Sequence, residues 1–427
     1  MATSRDVIVI GAGVIGCSIA YELAKTGRRV TVIDRGKGAG MGSTSSSSAI
    51  VRFHYSTFIG VAASWESKHA WEDWEAFLGG KDDGSLARFH RIGALYLDAP
   101  EVKIAGTHLL FDEVGVPYES WTAAEVRDRV PGIDPARHYP PKPVTSDEFL
   151  SAPDGEIGGS WTPDAGYVDD AAFAAHNLMA AAVRHGADFR FGGAVVAIES
   201  QGGSVSGVRT SDETYFADVV INVAGPHSGV INRLAGVTDE FRIRTRPLRQ
   251  EVHELPGTGH RFPMVGDLDL GTYIRSTPSG KLMIGGTEPE CDPLEWLEDP
   301  DEFATGPSSA VYEAQTYRAA LRLPDIAVPH TPRGVAGVYD VSTDWLPIYD
   351  RTSLGGYYVA IGTSGNQFKN APVVGGFLRS IIDASESGDD HDEKPVDHTL
   401  PRTGLVVNLG QYSRLRDPAN SAGNVMG

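Results

Sequence analysis

The sequence is poor in cysteine, in positive charge and in long apolar runs, and each shortage argues against a class of protein. Its 427 residues include two cysteines, Cys17 and Cys291, too few for a disulfide framework or a cysteine-based metal cluster. Lysine and arginine number 37 against 56 aspartates and glutamates, and the formal net charge of −19 disfavours binding to nucleic acid or an anionic membrane. No segment reads as a membrane span or a targeting signal. We therefore predict a soluble, cytoplasmic protein without a metal site.

Residues 6–34 have the order of a βαβ unit that binds a dinucleotide. Residues 7–10 are a continuous β-branched run, typical of a buried parallel strand, and a second apolar strand ends at Asp34. Between them Gly11, Gly13 and Gly16 form a G-x-G-x-x-G loop that allows a tight turn and the close approach of a pyrophosphate. A carboxylate at Asp34 can accept hydrogen bonds from ribose hydroxyls, which argues against a 2′-phosphorylated ligand but does not separate NAD from FAD. The predicted dinucleotide contacts here are Gly11, Gly13, Val14, Ile15, Gly16, Asp34 and Arg35.

A stretch rich in glycine, serine and threonine follows, from residue 36 to residue 48. Its composition is that of a flexible linker. Its position favours a second interpretation, because it lies between the second strand and an amphipathic helix that contains Trp65, Trp71 and Trp74. Hydroxyls and free amides that lead into a helix can hold a phosphate and the edge of a ring system. We interpret the stretch as such a cradle, with contacts at Ser43, Thr44, Ser45, Ser48, Ala49 and Ile50.

The remaining segments predict an α/β protein of two intimately joined domains. Apolar strands at 218–225 and 357–361 continue the dinucleotide fold, so its last strand comes more than 300 residues after its first. Residues 241–286 alternate apolar and polar positions, which indicates an inserted, mainly antiparallel sheet. We assign residues 1–90, 151–230 and 331–385 to the dinucleotide domain, and 91–150 and 231–330 to the second domain. Residues 386–427 form a tail whose acidic part, 385–399, is expected to be loosely held.

These segments together resemble a known family over roughly residues 5–385. Residues 42–44 (Gly-Ser-Thr) with 50–52 (Ile-Val-Arg), the Ala224-Gly225 strand end, and residues 362–369 (Gly-Thr-Ser-Gly-Asn-Gln-Phe-Lys) are similar to motifs of the FAD-dependent amino-acid oxidases. That family includes D-amino acid oxidase, glycine oxidase, sarcosine oxidase and dimethylglycine dehydrogenase. The sarcosine and dimethylglycine branch has the most similar motifs, including a G-x-S-G-x-G-F-K segment.

The resemblance implies a discontinuous, Rossmann-like FAD-binding domain and an antiparallel substrate domain, in the glutathione reductase-like architecture. FAD would lie extended across the first domain, with the flavin meeting the substrate at the domain boundary. The further FAD contacts that it implies are Val195, Ala224, Gly225, Gly337, Gly362, Gly365, Asn366, Gln367, Phe368 and Lys369.

Departures from the family pattern bear on how FAD is held and reoxidised. Relatives that attach FAD covalently use a cysteine in the segment corresponding to residues 337–340, or a histidine after the Gly-Ser-Thr; this chain has no cysteine in the first and Ser45 to Ser47 at the second. We therefore expect non-covalent FAD. Ala49 stands where monomeric sarcosine oxidases have a second arginine, and their oxygen-activating lysine has no clean match, since Lys281 is out of register. Molecular oxygen is the expected acceptor, with an electron-accepting partner as the alternative.

The expected reaction is oxidation of the C–N bond of a small secondary amino acid, such as sarcosine or dimethylglycine, followed by hydrolysis of the imine and release of hydrogen peroxide. Arg52 and Lys369 are expected to bind the substrate carboxylate, and Tyr273 to form an aromatic wall. His54 is a weaker candidate. Alternatives are deamination of glycine or a D-amino acid, and a flavoprotein subunit that passes electrons to a partner. The basic residues Arg249, Arg275 and His54 would allow a dicarboxylate such as iminodiacetate.

Overall fold

The computed structural model describes residues 6–80, 84–100, 104–257, 259, 262–419 and 424–426. The α-helices are α1 (Val14–Lys25), α2 (Phe58–Glu72), α3 (Trp74–Phe77), α4 (Ile104–Val114), α5 (Ala123–Arg129), α6 (Ala171–Arg184), α7 (Ser228–Ala235), α8 (Ser309–Arg322) and α9 (Ala371–Glu386). The strands are β1 (Asp6–Ile10), β2 (Arg29–Asp34), β3 (Ile50–Val51), β4 (Phe89–Arg91), β5 (Ala94–Leu97), β6 (Glu119–Trp121), β7 (Gly159–Thr162), β8 (Gly166–Val168), β9 (Asp188–Phe191), β10 (Val195–Gln201), β11 (Ser204–Thr210), β12 (Thr214–Phe216), β13 (Val219–Asn222), β14 (Thr245–Leu255), β15 (Met264–Asp267), β16 (Thr272–Ser276), β17 (Leu282–Gly286), β18 (Glu295–Trp296), β19 (Gly334–Ser342), β20 (Ile348–Arg351), β21 (Tyr357–Ile361), β22 (Asp397–Thr399) and β23 (Val406–Asn408).

Six of these strands form a sheet in the order β20-β21-β13-β1-β2-β9. Its pairs are parallel apart from β20 with β21, and Val9 of β1 lies between Ile221 of β13 and Val32 of β2. These β-branched residues are buried, as a sheet covered on both faces requires. Helix α1 packs against α6 and α9 on one face. The chain therefore closes the dinucleotide fold with strands from its beginning, middle and end, as predicted.

A second, nine-stranded sheet has the order β18-β14-β17-β16-β15-β5-β7-β6, with β19 also paired to β14. Its pairs are antiparallel except β15 with β5. Strands β7 and β19 belong to this sheet, although the predicted boundaries at residues 151 and 331 assign both strands to the dinucleotide domain. Neighbouring strands supply their hydrogen bonds, which a reading of local composition does not reveal. The rest of the domain division stays a prediction.

The tail is bound more tightly than its acidic composition suggested. Strands β22 and β23 pair with each other, and Tyr412 is buried against the core. Arg414 is also buried and donates hydrogen bonds to Asp350 and Asp392. The expectation of a loose segment at 385–399 is therefore wrong, because a buried arginine pairs with part of the negative charge and strand pairing satisfies the backbone. Among the described residues, no helix is both long and apolar enough to cross a membrane.

Candidate active site

One cavity of about 810 Å³ runs along the edge of the six-stranded sheet where the parallel strands end. Ligands bind at this edge in open α/β sheets, because loops diverge there at the switch in strand order. The predicted cofactor contacts that line it are Gly11, Gly13, Val14, Ile15, Gly16, Asp34, Arg35, Ser43, Thr44, Ser45, Ser48, Ala49, Ile50, Val195, Ala224, Gly225, Gly337, Gly365, Asn366, Gln367, Phe368 and Lys369. Gly362 is not among the lining residues. It turns the chain at a φ of 65°, and its N–H donates to Asp340 instead.

The glycine loop at one end of the cavity has no room for a side chain at Gly11 or at Gly16. Gly11 has a φ of 114°, and a Cβ there would lie 2.4 Å from the carbonyl oxygen of Val223. A Cβ on Gly16 would lie 2.0 Å from the carbonyl oxygen of Gly11. No side chain caps helix α1 at Gly13, so the positive end of the helix dipole is available to an anion. This geometry fits the pyrophosphate of a dinucleotide.

Asp34 and Arg35 follow β2 at the same end. The Asp34 carboxylate lines the cavity and accepts hydrogen bonds from the backbone N–H groups of Ala12 (2.7 Å) and Gly36 (2.6 Å). These two bonds fix the orientation of the side chain that is predicted to meet the ribose.

A loop of the second domain covers this end of the cavity through Asp301. Both Arg35 nitrogens pair with the Asp301 carboxylate, and His227 Nε2 lies 3.1 Å from it. The hydrogen bond from Arg35 is the main reason that the pKa of Asp301 falls to about 2. Sequence reasoning missed this contact, since residues 299–305 have no motif that points to a nucleotide.

The serine-rich stretch is held in place by contacts to the start of helix α1 and to the second sheet, so the alternative of a free linker is wrong. Residues Ser43–Ser46 form a 3₁₀ helix. Thr44 Oγ1 accepts a hydrogen bond from the N–H of Val14 at 3.1 Å, and Ser43 Oγ donates to the carbonyl of Val338 at 2.6 Å. Ser48 Oγ lies 2.7 Å from the hydroxyl of Tyr273. The stretch therefore bridges the glycine loop and the second sheet along the wall of the cavity.

Arg52 and Lys369, from opposite ends of the chain, meet at the other end of the cavity. The Arg52 guanidinium lies 4.5 Å and the Lys369 ammonium 4.3 Å from the centre of the Tyr55 ring. Both are buried, and among the described residues neither has a carboxylate within ion-pair distance. Burial, with the nearby Arg52 charge, holds the pKa of Lys369 well below its ordinary value. Two buried cations without a counter-charge form a site for an anionic ligand.

Tyr273 of β16 forms part of the wall above these cations. Its ring packs on Gly285 of β17, where a Cβ would come within 2.4 Å of it. Burial raises the pKa of the phenol, so Tyr273 stays a neutral hydroxyl. Met264, Tyr339 and Thr363 also line this end, although sequence reasoning did not select them. Tyr339 lies inside the segment 337–340 that had been singled out, so this residue could have been found.

The side-chain amide of Asn366 also indicates a ligand site. Its Nδ2 is buried at the cavity and has no hydrogen-bond partner among the described residues. It lies just before helix α9, whose N-terminus at Asn370 has no side-chain cap. An unpaired donor at the cavity, on the loop that leads into an uncapped helix, fits the electron-rich edge of a flavin. The cavity therefore has suitable groups for both ends of FAD.

Three other candidates, His54, Arg249 and Arg275, lie outside the cavity lining. His54 stacks on Tyr96 with ring centres 3.8 Å apart, and its Nε2 lies 3.0 Å from Ser160 Oγ. Burial, then the Arg52 charge, lowers the pKa of His54 well below its usual value, so it is a neutral core residue.

Arg275 and Arg249 are likewise occupied elsewhere. Arg275 lies 4.2 Å above the ring of Tyr167, and Arg249 forms a buried ion pair with Glu251 at 2.6 Å. His253 is buried beside the same glutamate. These contacts do not support the expectation that Arg249, Arg275 and His54 face the substrate, because none of the three lines the cavity.

A parallel sheet that offers a pyrophosphate loop at one end of a cavity, and buried cations for an organic acid at the other, is the architecture of a dinucleotide-dependent oxidoreductase. The chain belongs to the DAO family of FAD-dependent oxidoreductases, whose family model matches residues 6–380. The cofactor is therefore FAD, and the predicted mixed α/β architecture is confirmed.

Similar proteins are oxidases and dehydrogenases of small amino acids. The chain is 26% identical over 397 residues to the sarcosine oxidase subunit beta of an Arthrobacter species, covering 90% of this chain and 88% of that protein. Its fold matches L-proline dehydrogenase from P. horikoshii with a TM-score of 0.75 at 24% identity, covering 97% and 98% of the two chains. It also matches iminodiacetate oxidase from a Chelativorans species with a TM-score of 0.66 at 18% identity, covering 95% and 98%. These two structural likenesses bear on the fold alone.

Proposed function

We propose that the protein oxidises the C–N bond of a small secondary amino acid, with sarcosine as the simplest example. The observation that carries this proposal is a single cavity that joins the glycine loop to the buried pair Arg52 and Lys369. The relative named for sarcosine acts on a secondary amine, which supports an amine with one N-alkyl substituent.

The substrate carboxylate pairs with Arg52 and Lys369. Arginine presents a planar fork suited to a carboxylate, and the lysine adds a point charge. Tyr273 holds the substrate by shape, and its hydroxyl is directed away to Ser48. Burial of both cations excludes water from the carboxylate, which strengthens the pairing.

When bound, FAD would supply the hydride-accepting chemistry for oxidation of the C–N bond, and water would then hydrolyse the resulting imine. The FAD is held without a covalent bond: among the described lining residues there is no cysteine, and the histidine that lines the cavity, His227, pairs with Asp301 at the Asp34 end. Residues of the loop before α9 orient the ring, with the free Asn366 Nδ2 as a donor.

Molecular oxygen is the proposed electron acceptor, with hydrogen peroxide as product. Lys281 has no part in this step, since it is exposed and pairs with Glu254 at 2.6 Å. A partner electron acceptor is the competing outcome. The refinement to iminodiacetate loses its support, because Arg249, Arg275 and His54 do not line the cavity.

Anaerobic titration of the FAD-loaded protein tests the proposal. The panel contains sarcosine, dimethylglycine, iminodiacetate, glycine, D-alanine and L-proline, with dimethylamine as a secondary amine that lacks the carboxylate. Bleaching of the flavin band by sarcosine or L-proline but not by dimethylamine supports the proposed site. Return of colour with peroxide on admission of air identifies an oxidase, and persistent bleaching a dehydrogenase. Bleaching by none of the amino acids refutes the function.

Two arginine variants distinguish a direct contact between Arg52 and the substrate carboxylate from a general effect of removing a positive charge. Arg52→Gln is expected to weaken sarcosine binding about 10-fold to 100-fold, the range for loss of a charged hydrogen-bonded pair. Arg275→Gln removes another buried arginine that lies outside the cavity lining, and it serves as the matched control. Equal weakening in both variants, at equal FAD content, would contradict the role of Arg52.

A further inference from the structure

Two residues of the C-terminal segment, Val425 and Met426, lie at the cation end of the cavity and are buried. The carbonyl oxygen of Val425 accepts a hydrogen bond from Arg52 Nη2 at 2.6 Å, and that of Met426 accepts one from Arg52 Nη1 at 2.7 Å. The N–H of Val425 donates to Glu288 Oε2 at 2.8 Å. The backbone N–H of Val425 thus donates to a carboxyl group, and its carbonyl oxygen accepts from a guanidinium.

This pairing matches the groups of a free amino acid. In Val425 the nitrogen and the carbonyl oxygen are separated by Cα and the carbonyl carbon, as the amine and carboxylate of an α-amino acid are. An ammonium would meet Glu288 where the peptide N–H does, and a carboxylate would meet Arg52 where the carbonyls do. With full charges in place of peptide dipoles, both contacts become stronger.

We propose that Glu288 binds the substrate amine opposite Arg52, and that Val425 and Met426 compete with the substrate for these two side chains. This inference rests on the proposed function, because it deepens the description of the same site. Neither Glu288 nor the segment belongs to the motifs that identify the family.

Glu288 is held in a conformation suited to a binding role. Its backbone has a φ of 53°, which a residue other than glycine adopts at some energetic cost and which recurs at functional sites. Gln250 Nε2 donates to Oε1 at 3.0 Å and fixes the carboxyl group, so that Oε2 is left for the ligand. Tyr273 and Tyr339, whose pKa values its charge raises, lie near it at the cavity wall. Glu288 thus lies near two aromatic residues that line the cavity.

The side chain of Met426 can show whether Val425 and Met426 are bound at Arg52 and Glu288. Its Cε packs against Gly266, where an added Cβ would lie 2.8 Å from it, and the ring of Tyr96 packs against the same glycine. A ligand that takes Arg52 and Glu288 must displace this side chain from its buried position. The protein has six methionines, so the methyl signal of Met426 can be assigned with a Met426→Leu variant in methyl-labelled protein.

In the first experiment, FAD-loaded protein is titrated with two ligands of nearly equal shape. Binding is observed through the methionine methyl signals in NMR spectra. 2-Aminoisobutyrate has an ammonium and a carboxylate but no hydrogen on its α-carbon, and pivalate replaces the ammonium with a methyl group. We expect both to shift the Met426 signal. Glu288→Gln keeps the shape of the side chain and the acceptor for the N–H of Val425. It should weaken the binding of 2-aminoisobutyrate about 10-fold or more, while changing the affinity for pivalate by no more than about twofold. Equal effects on the two ligands, or no displacement of Met426 by either, overturn the proposal.

The pH dependence supplies a second readout for Glu288. Burial raises its pKa to about 8; the N–H of Val425 opposes this shift, and the charge of Asp292 adds to it. Its ionised form binds an ammonium, so affinity of the wild type for 2-aminoisobutyrate should increase as the pH rises toward 8. Tyr273 and Tyr339, which also face this carboxyl group, have raised pKa values and stay neutral over that range. In Glu288→Gln this increase should be lost, leaving only the pH dependence that Lys369, with its lowered pKa, gives to both proteins. A profile unchanged from wild type would count against the role of Glu288.

Variants of the segment test the competition. Met426→Ser weakens the apolar contact and should lower the KM for sarcosine about threefold or more without changing kcat. Leu415→Ser removes an apolar side chain that is already 39% exposed and is the matched control. An unchanged KM in Met426→Ser overturns the competition. The NMR titration needs no turnover: displacement of Met426 by 2-aminoisobutyrate without flavin reduction by any amino acid would sink the proposed function and leave the amine site standing.

Discussion

Replacing Lys369 with methionine should stabilise the apoprotein at neutral pH while weakening its binding of carboxylates. The Lys369 side chain is buried, its ammonium donates to the carbonyl of Asn366, and no carboxylate pairs with it among the described residues. Its pKa is held well below the ordinary value of 10.5 by burial and by the Arg52 charge. In the unfolded chain the amine binds its proton at neutral pH, so folding must either release that proton or bury the charge.

The sign of the pH dependence follows from proton binding. Between the lowered native pKa and 10.5 the unfolded state of the wild type binds more protons, so its free energy of unfolding rises with pH. Methionine lacks this dependence. The stability advantage of Lys369→Met should therefore shrink as the pH rises from the lowered native pKa toward 10.5, by at most about 1.4 kcal/mol per pH unit.

Denaturant unfolding of the apoproteins at pH 7, 8 and 9 measures this difference. Lys281→Met is the matched control, because that lysine is exposed and pairs with Glu254, and its substitution should give a difference nearly independent of pH. A constant gain for Lys369→Met across the three pH values would refute the lowered pKa. The same variant should bind pivalate about 10-fold more weakly, since one of two cations is lost. Unchanged pivalate affinity would remove Lys369 from the carboxylate site.

Three other substitutions have expected outcomes. Gly16→Ala places a Cβ 2.0 Å from a backbone oxygen, so the purified protein should contain much less FAD, measured by the ratio of flavin to protein absorbance. Gly285→Ala places a Cβ 2.4 Å from the Tyr273 ring and should raise the KM for sarcosine several-fold at normal FAD content. Arg322→Leu leaves two fully buried aspartates without their partner and should lower the free energy of unfolding by about 3–5 kcal/mol.

Each of these has a control or a contrary result. Gly84→Ala, outside the cavity lining, adds a Cβ with no atom within 4 Å and should keep its FAD. An unchanged KM in Gly285→Ala would show that the ring of Tyr273 does not set the substrate's position. Arg137→Ala breaks an exposed ion pair with Asp154 and should change the free energy of unfolding by less than about 1 kcal/mol. A similar small loss for Arg322→Leu would contradict the structural role of its pairing.

Local patterns in the sequence were sufficient for the elements of the dinucleotide fold. The glycine loop could be recognised because tight turns and close contacts impose a fixed spacing on glycine, and a buried parallel strand requires an unbroken apolar run. Helix α6 begins after Asp170, a residue type favoured at helix N-caps, and its Oδ1 accepts the capping hydrogen bond from the N–H of Phe173. Such features depend on neighbours within a few residues, which the sequence displays directly.

The membership of the second sheet was harder to predict. Strands β7 and β19 join it through hydrogen bonds to strands far away in the chain. Tyr273 and Arg275 share one face of β16, yet Tyr273 lines the cavity while Arg275 lies over Tyr167. Alternation gives the face of a residue, but packing decides what stands opposite it.

The sequence by itself determined the βαβ unit, the class of cofactor and the two cations worth testing. Only the tertiary structure brought Arg52 and Lys369 to one tyrosine ring, and only it brought Val425 to Arg52 and Glu288. The reason is physical: a short-range pattern reflects backbone geometry, whereas contacts between residues hundreds of positions apart are set by the closure of the whole chain around its core.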